Sequence, residues 1–130
     1  MPEFLTPKEI ASPFARYSHG VLVKSGSKLL FCSGQLGIAE DQSIPETAFA
    51  QAELCFWNIG QILAAAGMGP SNLVRINAYV TDRKHLGDYM RARDGFIGSL
   101  DPPPASTLMI VRGFAREAFK VEVEAIAAGE

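Results

Sequence analysis

Two histidines, two cysteines and a modest set of carboxylates and arginines are the groups of this 130-residue chain that could do chemistry. Cys32 and Cys55 stand far apart, in no Cys-x-x-Cys pair and in no Cys/His cluster, so neither a disulfide framework nor a zinc site is supported. His19 and His85 lack partners at ligand spacing, and no metal is expected. Strand periodicity makes a different grouping. Alternation through LVRINAYV, residues 73 to 80, puts Arg75, Asn77 and Tyr79 on one face and Val74, Ile76, Ala78 and Val80 on the other. Near the C-terminus Glu122 and Glu124 alternate with Val121, Val123 and Ala125 in the same way. On that shared face Arg75 is expected to be an ion-pair partner for Glu122 or Glu124. A further oddity is PPPASTLMIV at 102 to 111. Prolines hold φ near about −65° and bias the preceding residues toward extended geometry, so three in a row should deliver Ala-Ser-Thr into a strand at one defined angle.

The elements that must position these residues follow from pattern. The first dozen residues, with prolines at 2, 7 and 13 bracketing them, read as an irregular arm. Two apolar runs, VLV and LLF, flank Ser25-Gly26-Ser27-Lys28 and predict a hairpin between His19 and Ser33. Ser43-Ile-Pro-Glu46 has the form of a capping box. After it Phe49, Ala52, Phe56, Ile59, Leu63 and Ala66 recur at helical spacing until Gly67 stops the helix. Asp82 is placed to cap a second helix over about 83–97, with Leu86, Tyr89, Met90, Phe96 and Ile97 as its apolar face and Gly98 as its end. Strands are predicted near 105–112 and 119–127.

The order strand, strand, helix, strand, helix, strand, strand predicts one α+β domain over residues 1–130, a mixed sheet with both helices on one face. The other face mixes Arg75, Asn77, Tyr79, Glu122 and Glu124 with apolar neighbours such as Leu108 and Ile110. It is too polar for a private core and too apolar for water, which favours self-association. A net charge of −2 gives no basic field for nucleic acid. No apolar run reaches the roughly 20 residues of a membrane span, and MPEFLTPKEI has no signal pattern, so a cytoplasmic protein is expected.

Several segments together resemble the Rid family of reactive intermediate deaminases, small imine and enamine hydrolases. They are PFARYSHGVLV at 13–23, LLFCSGQLG at 29–37, QILAAAGMGPSNLVRINAYVTD at 61–82, the proline-rich approach to ASTLMIV, and VEVEAIAA at 121–128. The resemblance implies a chorismate-mutase-like fold, a homotrimer with clefts between subunits, and hydrolysis of a small imine or enamine with no metal or organic cofactor. It makes Glu122 the water-positioning glutamate and Tyr17 a cleft tyrosine. Ser33 and Gly34 become the loop beside the cleft, and Thr107 occupies a place often held by cysteine or threonine. It also exposes departures. The arginine that clamps the substrate carboxylate is replaced by Ala105, a helix asparagine aligns with Met90, and His19 stands where glutamine is common.

A methyl group cannot replace a guanidinium that grips a carboxylate by two hydrogen bonds. The expected function is therefore hydrolysis of an imine or enamine other than the usual 2-aminoacrylate type, with Glu122 orienting water, His19 or Tyr17 handling a proton and Ala105 making room. Arg16 or Arg112 could supply a displaced positive charge. The alternatives are a non-catalytic ligand-binding or regulatory trimer and, more weakly, an endoribonuclease or translation inhibitor.

Overall fold

The computed structural model describes residues 2–130. Its strands are β1 (Glu3–Leu5), β2 (Gly20–Leu22), β3 (Lys28–Leu36), β4 (Leu73–Val80), β5 (Ala105–Ile110) and β6 (Val121–Gly129); its helices are α1 (Ala48–Ala65) and α2 (Leu86–Ile97). Four strands form one sheet in the order β3-β6-β4-β5. β6 runs antiparallel to both neighbours, whereas β4 and β5, joined through α2, are parallel. The sheet is mixed, as the order of elements predicts.

Period-2 alternation holds through β4 and β6, where Ile76, Ala78, Val80, Val121, Val123 and Ala125 are buried with Ala52, Phe56, Ile59 and Leu63 of α1. Each large side chain in that layer contributes roughly 1.5–3 kcal/mol by leaving water. Helix α1 packs on β3 and β6, and α2 lies beside it. The two helices meet where the Phe56 ring stacks on Phe96 at 5.0 Å and meets Tyr89 at 5.8 Å. Gly67 ends α1 as expected. It takes φ +71°, and the amides of Gly67 and Met68 reach back to the carbonyls of Ala64 and Leu63, satisfying the last turn.

Three local expectations are corrected. The two runs of the expected hairpin do not pair with each other: β2 pairs with β1, inside the arm expected to be irregular, and β3 pairs with β6. Gly26 still makes its turn at φ +84°. Short apolar runs specify extended backbone without specifying its partner. The capping box at Ser43 is not used, because Ser43 donates to Asp41 at 2.6 Å and α1 begins at Thr47, whose hydroxyl accepts from Ala50 N at 3.1 Å. Asp82 does cap, accepting from Lys84 N at 2.9 Å, but it caps a single 3-10 turn at Arg83–His85 before α2 starts.

Buried Gln51 ties the layers together. Its amide donates to the carbonyls of Pro45 and Ala118 and its oxygen accepts from Lys120 N, all within 2.9 Å. Gln51 passes so close to Gly37, just past β3, that a Cβ there would lie 2.8 Å from the Gln51 Cα.

Candidate functional site

The prolines do more than aim β5. The Ser18 amide donates to the Pro104 carbonyl at 3.1 Å and the Ser18 hydroxyl to the Pro103 carbonyl at 2.5 Å, and Ser18 bridges Ala105. Proline keeps its carbonyl although it lacks an N–H, so the run presents acceptors that fasten the 14–19 segment beside the start of β5. Ser18 and Ala105 are both buried. The clasp leaves Tyr17 and Thr107 on the rim of one cleft of about 460 Å³ at the free edge of β5, closed on its other side by α2. Phe14, Leu86, Met90, Leu108 and Ile110 form its apolar walls, and Arg83 and Arg93 also line it.

Tyr17 packs edge-on between Phe14 at 5.7 Å and His19 at 5.8 Å. The His19 Nε2 bonds to the Ala11 carbonyl at 2.7 Å. A carbonyl only accepts, so Nε2 carries the proton and Nδ1 holds the free lone pair of the neutral ring. His19 is thereby fastened to the N-terminal arm.

Glu122 lies elsewhere on the sheet. Its partners across the ladders are Leu36 and Tyr79, whereas Thr107 pairs with Asn77, which pairs with Glu124. Two strand spacings, roughly 10 Å, separate β5 from β6. Gly34 touches the Glu122 carboxylate so closely that a Cβ on Gly34 would sit 2.6 Å from Oε2. Burial, and then the charge of Glu124, raise the Glu122 carboxyl above its ordinary range. Ser33 lines a small polar pocket with Asn77 and Glu124. Within one chain the predicted site residues thus fall into two groups: Tyr17, His19, Ala105 and Thr107 near the β5 edge, and Ser33, Gly34 and Glu122 on the β3–β6 side.

The face between them is a connected polar layer. Tyr79 donates to Glu124 at 2.6 Å, and that bond raises the phenol's pKa. Asn77 donates to the same oxygen at 3.3 Å, while its own Oδ1 is buried without a partner among the described residues. Arg75 does not pair with either glutamate, as its place in the sequence suggests it should. It lies opposite Ala105 in the ladder and donates to the Thr107 hydroxyl at 2.5 Å. Arg16 is also engaged, donating to the Leu100 carbonyl at 3.0 Å. Neither Arg16 nor Arg112 lines the β5 cleft. Cys32 and Cys55 are free and buried, and burial raises both thiols, Cys55 to about 12, which leaves little thiolate for nucleophilic work.

Arg93 is the site residue that pattern reading misses. Leu86, Met90, Arg93 and Ile97 recur at spacings of four, three and four, so a charged residue stands on the inward stripe of α2. That position is the signal by which it could have been found.

Comparison with known proteins agrees with the fold. The family model described as Endoribonuclease L-PSP matches residues 7–129. The chain is 33% identical over 109 residues to "Protein mmf2, mitochondrial" of Schizosaccharomyces pombe, covering 82% of this chain and 83% of that protein. It is 32% identical over 114 residues to the 2-iminobutanoate/2-iminopropanoate deaminase of Capra hircus, covering 85% and 78%. A Yersinia pestis protein of unknown function, described as belonging to the Rid family, superposes with a TM-score of 0.84 at 23% identity over 97% of each chain. With its two-helix layer on a mixed sheet and a match from residue 7 to residue 129, the chain belongs to the endoribonuclease L-PSP family, the Rid family.

Proposed function

We propose that the protein hydrolyses a small imine or enamine, releasing ammonia and a carbonyl product, in clefts completed between the subunits of a homotrimer. The observation that carries this reading is the division of the site: the cleft with Tyr17 and Thr107 lies at the free edge of β5, and the Gly34–Glu122 pair lies two strands away. A neighbouring copy that docks its β3–β6 side against the β5 edge supplies the missing half. The exposed apolar side chains of Leu29 and Phe31 on β3 and Met109 on β5 would be covered by such docking.

In this reaction water adds to the imine carbon, the C–N bond then breaks, and nitrogen leaves as ammonia while the carbonyl forms. Glu122 accepts a hydrogen bond from the water and turns its lone pair toward the imine carbon. Its raised pKa brings it nearer to the range in which a carboxyl exchanges protons during turnover. Tyr17 donates to the departing nitrogen, and Ser33 and Thr107 line the path. Ala105, buried beside Ser18 next to the cleft, supplies no guanidinium to it. The relative named as an iminobutanoate and iminopropanoate deaminase supports the reaction class. A net charge of −2, with Glu122 and Glu124 on the open sheet face, weighs against phosphate-backbone binding and hence against ribonuclease action. A ligand-binding trimer without turnover is the second reading, favoured by the absence of an arginine at position 105. Buried free thiols suit the cytoplasm or another reducing compartment, which fractionation of the tagged chain tests.

The test uses 2-aminoacrylate generated in place, with ammonia or pyruvate release followed for the wild type and Ala105→Arg. Little turnover is expected from the wild type and a gain from the variant. Wild-type turnover equal to that of an ordinary deaminase contradicts the role given to Ala105.

A further inference from the structure

We infer that Arg93, assisted by Arg83, is a displaced anion clamp, and that the β5 cleft takes a carboxylate bearing a branched aliphatic or aromatic side chain. The inference rests on the hydrolase reading for the identity of the substrate, and on the cleft itself for the clamp.

Arg93 is 4% exposed, yet it lines the cleft. A buried guanidinium needs compensation for the water it gives up. Arg93 has one oxygen, with Nε and Nη2 both donating to Asp94 Oδ1 at 3.2 and 3.1 Å, and the face of the Tyr89 ring, whose centroid is 6.0 Å from its Cζ. Its Nη1 makes no hydrogen bond among the described residues. Asp94 is itself divided, with Arg16 Nη1 3.9 Å from the same oxygen. The other acidic groups of this end are committed, Asp88 to Arg91 at 2.9 Å and Asp82 to capping the Lys84 amide. Arg83, exposed on the cleft wall, has no ion pair among the described residues. Arg93 and Arg16 therefore share one carboxylate and Arg83 pairs with none among the described residues, while the remaining walls of the cleft are mostly apolar, with hydroxyls from Tyr17, Ser106 and Thr107.

That imbalance is what an anionic ligand corrects. A carboxylate seated at the Arg93 end takes charge-assisted hydrogen bonds from Nη1 and from Arg83, and the low-dielectric walls strengthen them. Phe14, Leu86, Met90, Leu108 and Ile110 then surround whatever the carboxylate carries, and Phe14, 90% exposed, gains cover when that group is apolar. A methyl group fills little of about 460 Å³; a branched or aromatic side chain fills much more. Loss of arginine at position 105 thus moves the anion site onto α2 and enlarges the side chain accepted.

Stable 2-oxo acids separate binding from turnover. Titration calorimetry on the full chain in its native assembly is run with 4-methyl-2-oxopentanoate, its amide and pyruvate. The branched acid is expected to bind at least about tenfold more tightly than either, the scale of one lost charge-assisted bond. Arg93→Gln is expected to weaken the branched acid by about tenfold or more, and Arg83→Gln, an exposed change that leaves the fold alone, by about threefold or more. If Arg93→Gln does not fold, Arg83→Gln and the cavity-filling Leu108→Trp carry the test. Equal affinity for acid and amide, no binding of the branched acid, or wild-type affinity in Arg83→Gln overturns the clamp. Tight binding that depends on these arginines, with no imine hydrolysis, overturns the hydrolase reading and leaves the clamp standing. Imine hydrolysis whose KM ignores both arginines does the reverse.

Discussion

Glu122 is held at a raised pKa by two causes of different origin, burial first and the Glu124 charge second, and this gives its titration a testable sign. If it acts as a carboxylate, activity falls as pH drops through its folded-state pKa, so the acid limb of kcat/KM should lie above the ordinary carboxyl value. Glu124→Gln removes the second cause and should move that limb to lower pH, read from the pH profile of the variant; an unmoved limb takes Glu122 out of the pH dependence. Glu122→Gln should lower turnover by about a hundredfold or more while light scattering shows the same assembly. Gly34→Ala is expected to act through Glu122. Its new Cβ meets the flexible end of that side chain, so turnover should drop more than stability does. The residues of this pair were readable in the sequence only through the family resemblance, because a glutamate alternating with valines is, by pattern alone, an ordinary solvated strand residue.

At the scale of elements, the contacts that set α1 against the sheet are unforgiving where backbone meets backbone. Gly37→Ala places a Cβ 2.8 Å from the Gln51 Cα, which no rotamer change relieves, and should cost about 1–3 kcal/mol by denaturant unfolding. Gln51→Leu strands the Lys120 amide and two carbonyls together and should cost at least as much, about 1–3 kcal/mol or more. The long elements were legible because burial writes its period into them: β4 at 73–80 and the stop at Gly67 match the structure. What was illegible was partnership. VLV and LLF specify strands, but β2 goes to the arm and β3 to β6, since three-residue runs carry no register information. Ser43 and Thr47 are both good caps, and the choice fell to Thr47 through Gln51, a long-range contact invisible in local sequence. Arg93 was illegible for a similar reason: Arg16 and Arg112 were the expected displaced charges, and the cleft is lined instead by Arg93 of α2 and by Arg83.

For the whole molecule, the proposed function depends on assembly. The half-polar sheet face expected from alternation is present, with the Glu124 carboxylate hydrogen-bonded to Asn77 and Tyr79 in the same layer and with Phe31 at 67% and Met109 at 51% exposure. Phe31→Asp should convert a species of about three times the 14.0 kDa chain mass into monomers, measured by light scattering, and abolish turnover without altering helix content. A monomeric wild type would remove the partner-completed cleft. No described helix is long and apolar enough to cross a membrane. Imine hydrolysis is proposed in a cleft that favours large side chains. Its most direct measurement is ammonia release from the 2-imino acids formed by oxidising leucine and alanine, each followed with and without the protein. Clear acceleration for the leucine-derived imine, well above that for the alanine-derived one, is expected. No acceleration over spontaneous hydrolysis for either imine would contradict the claim.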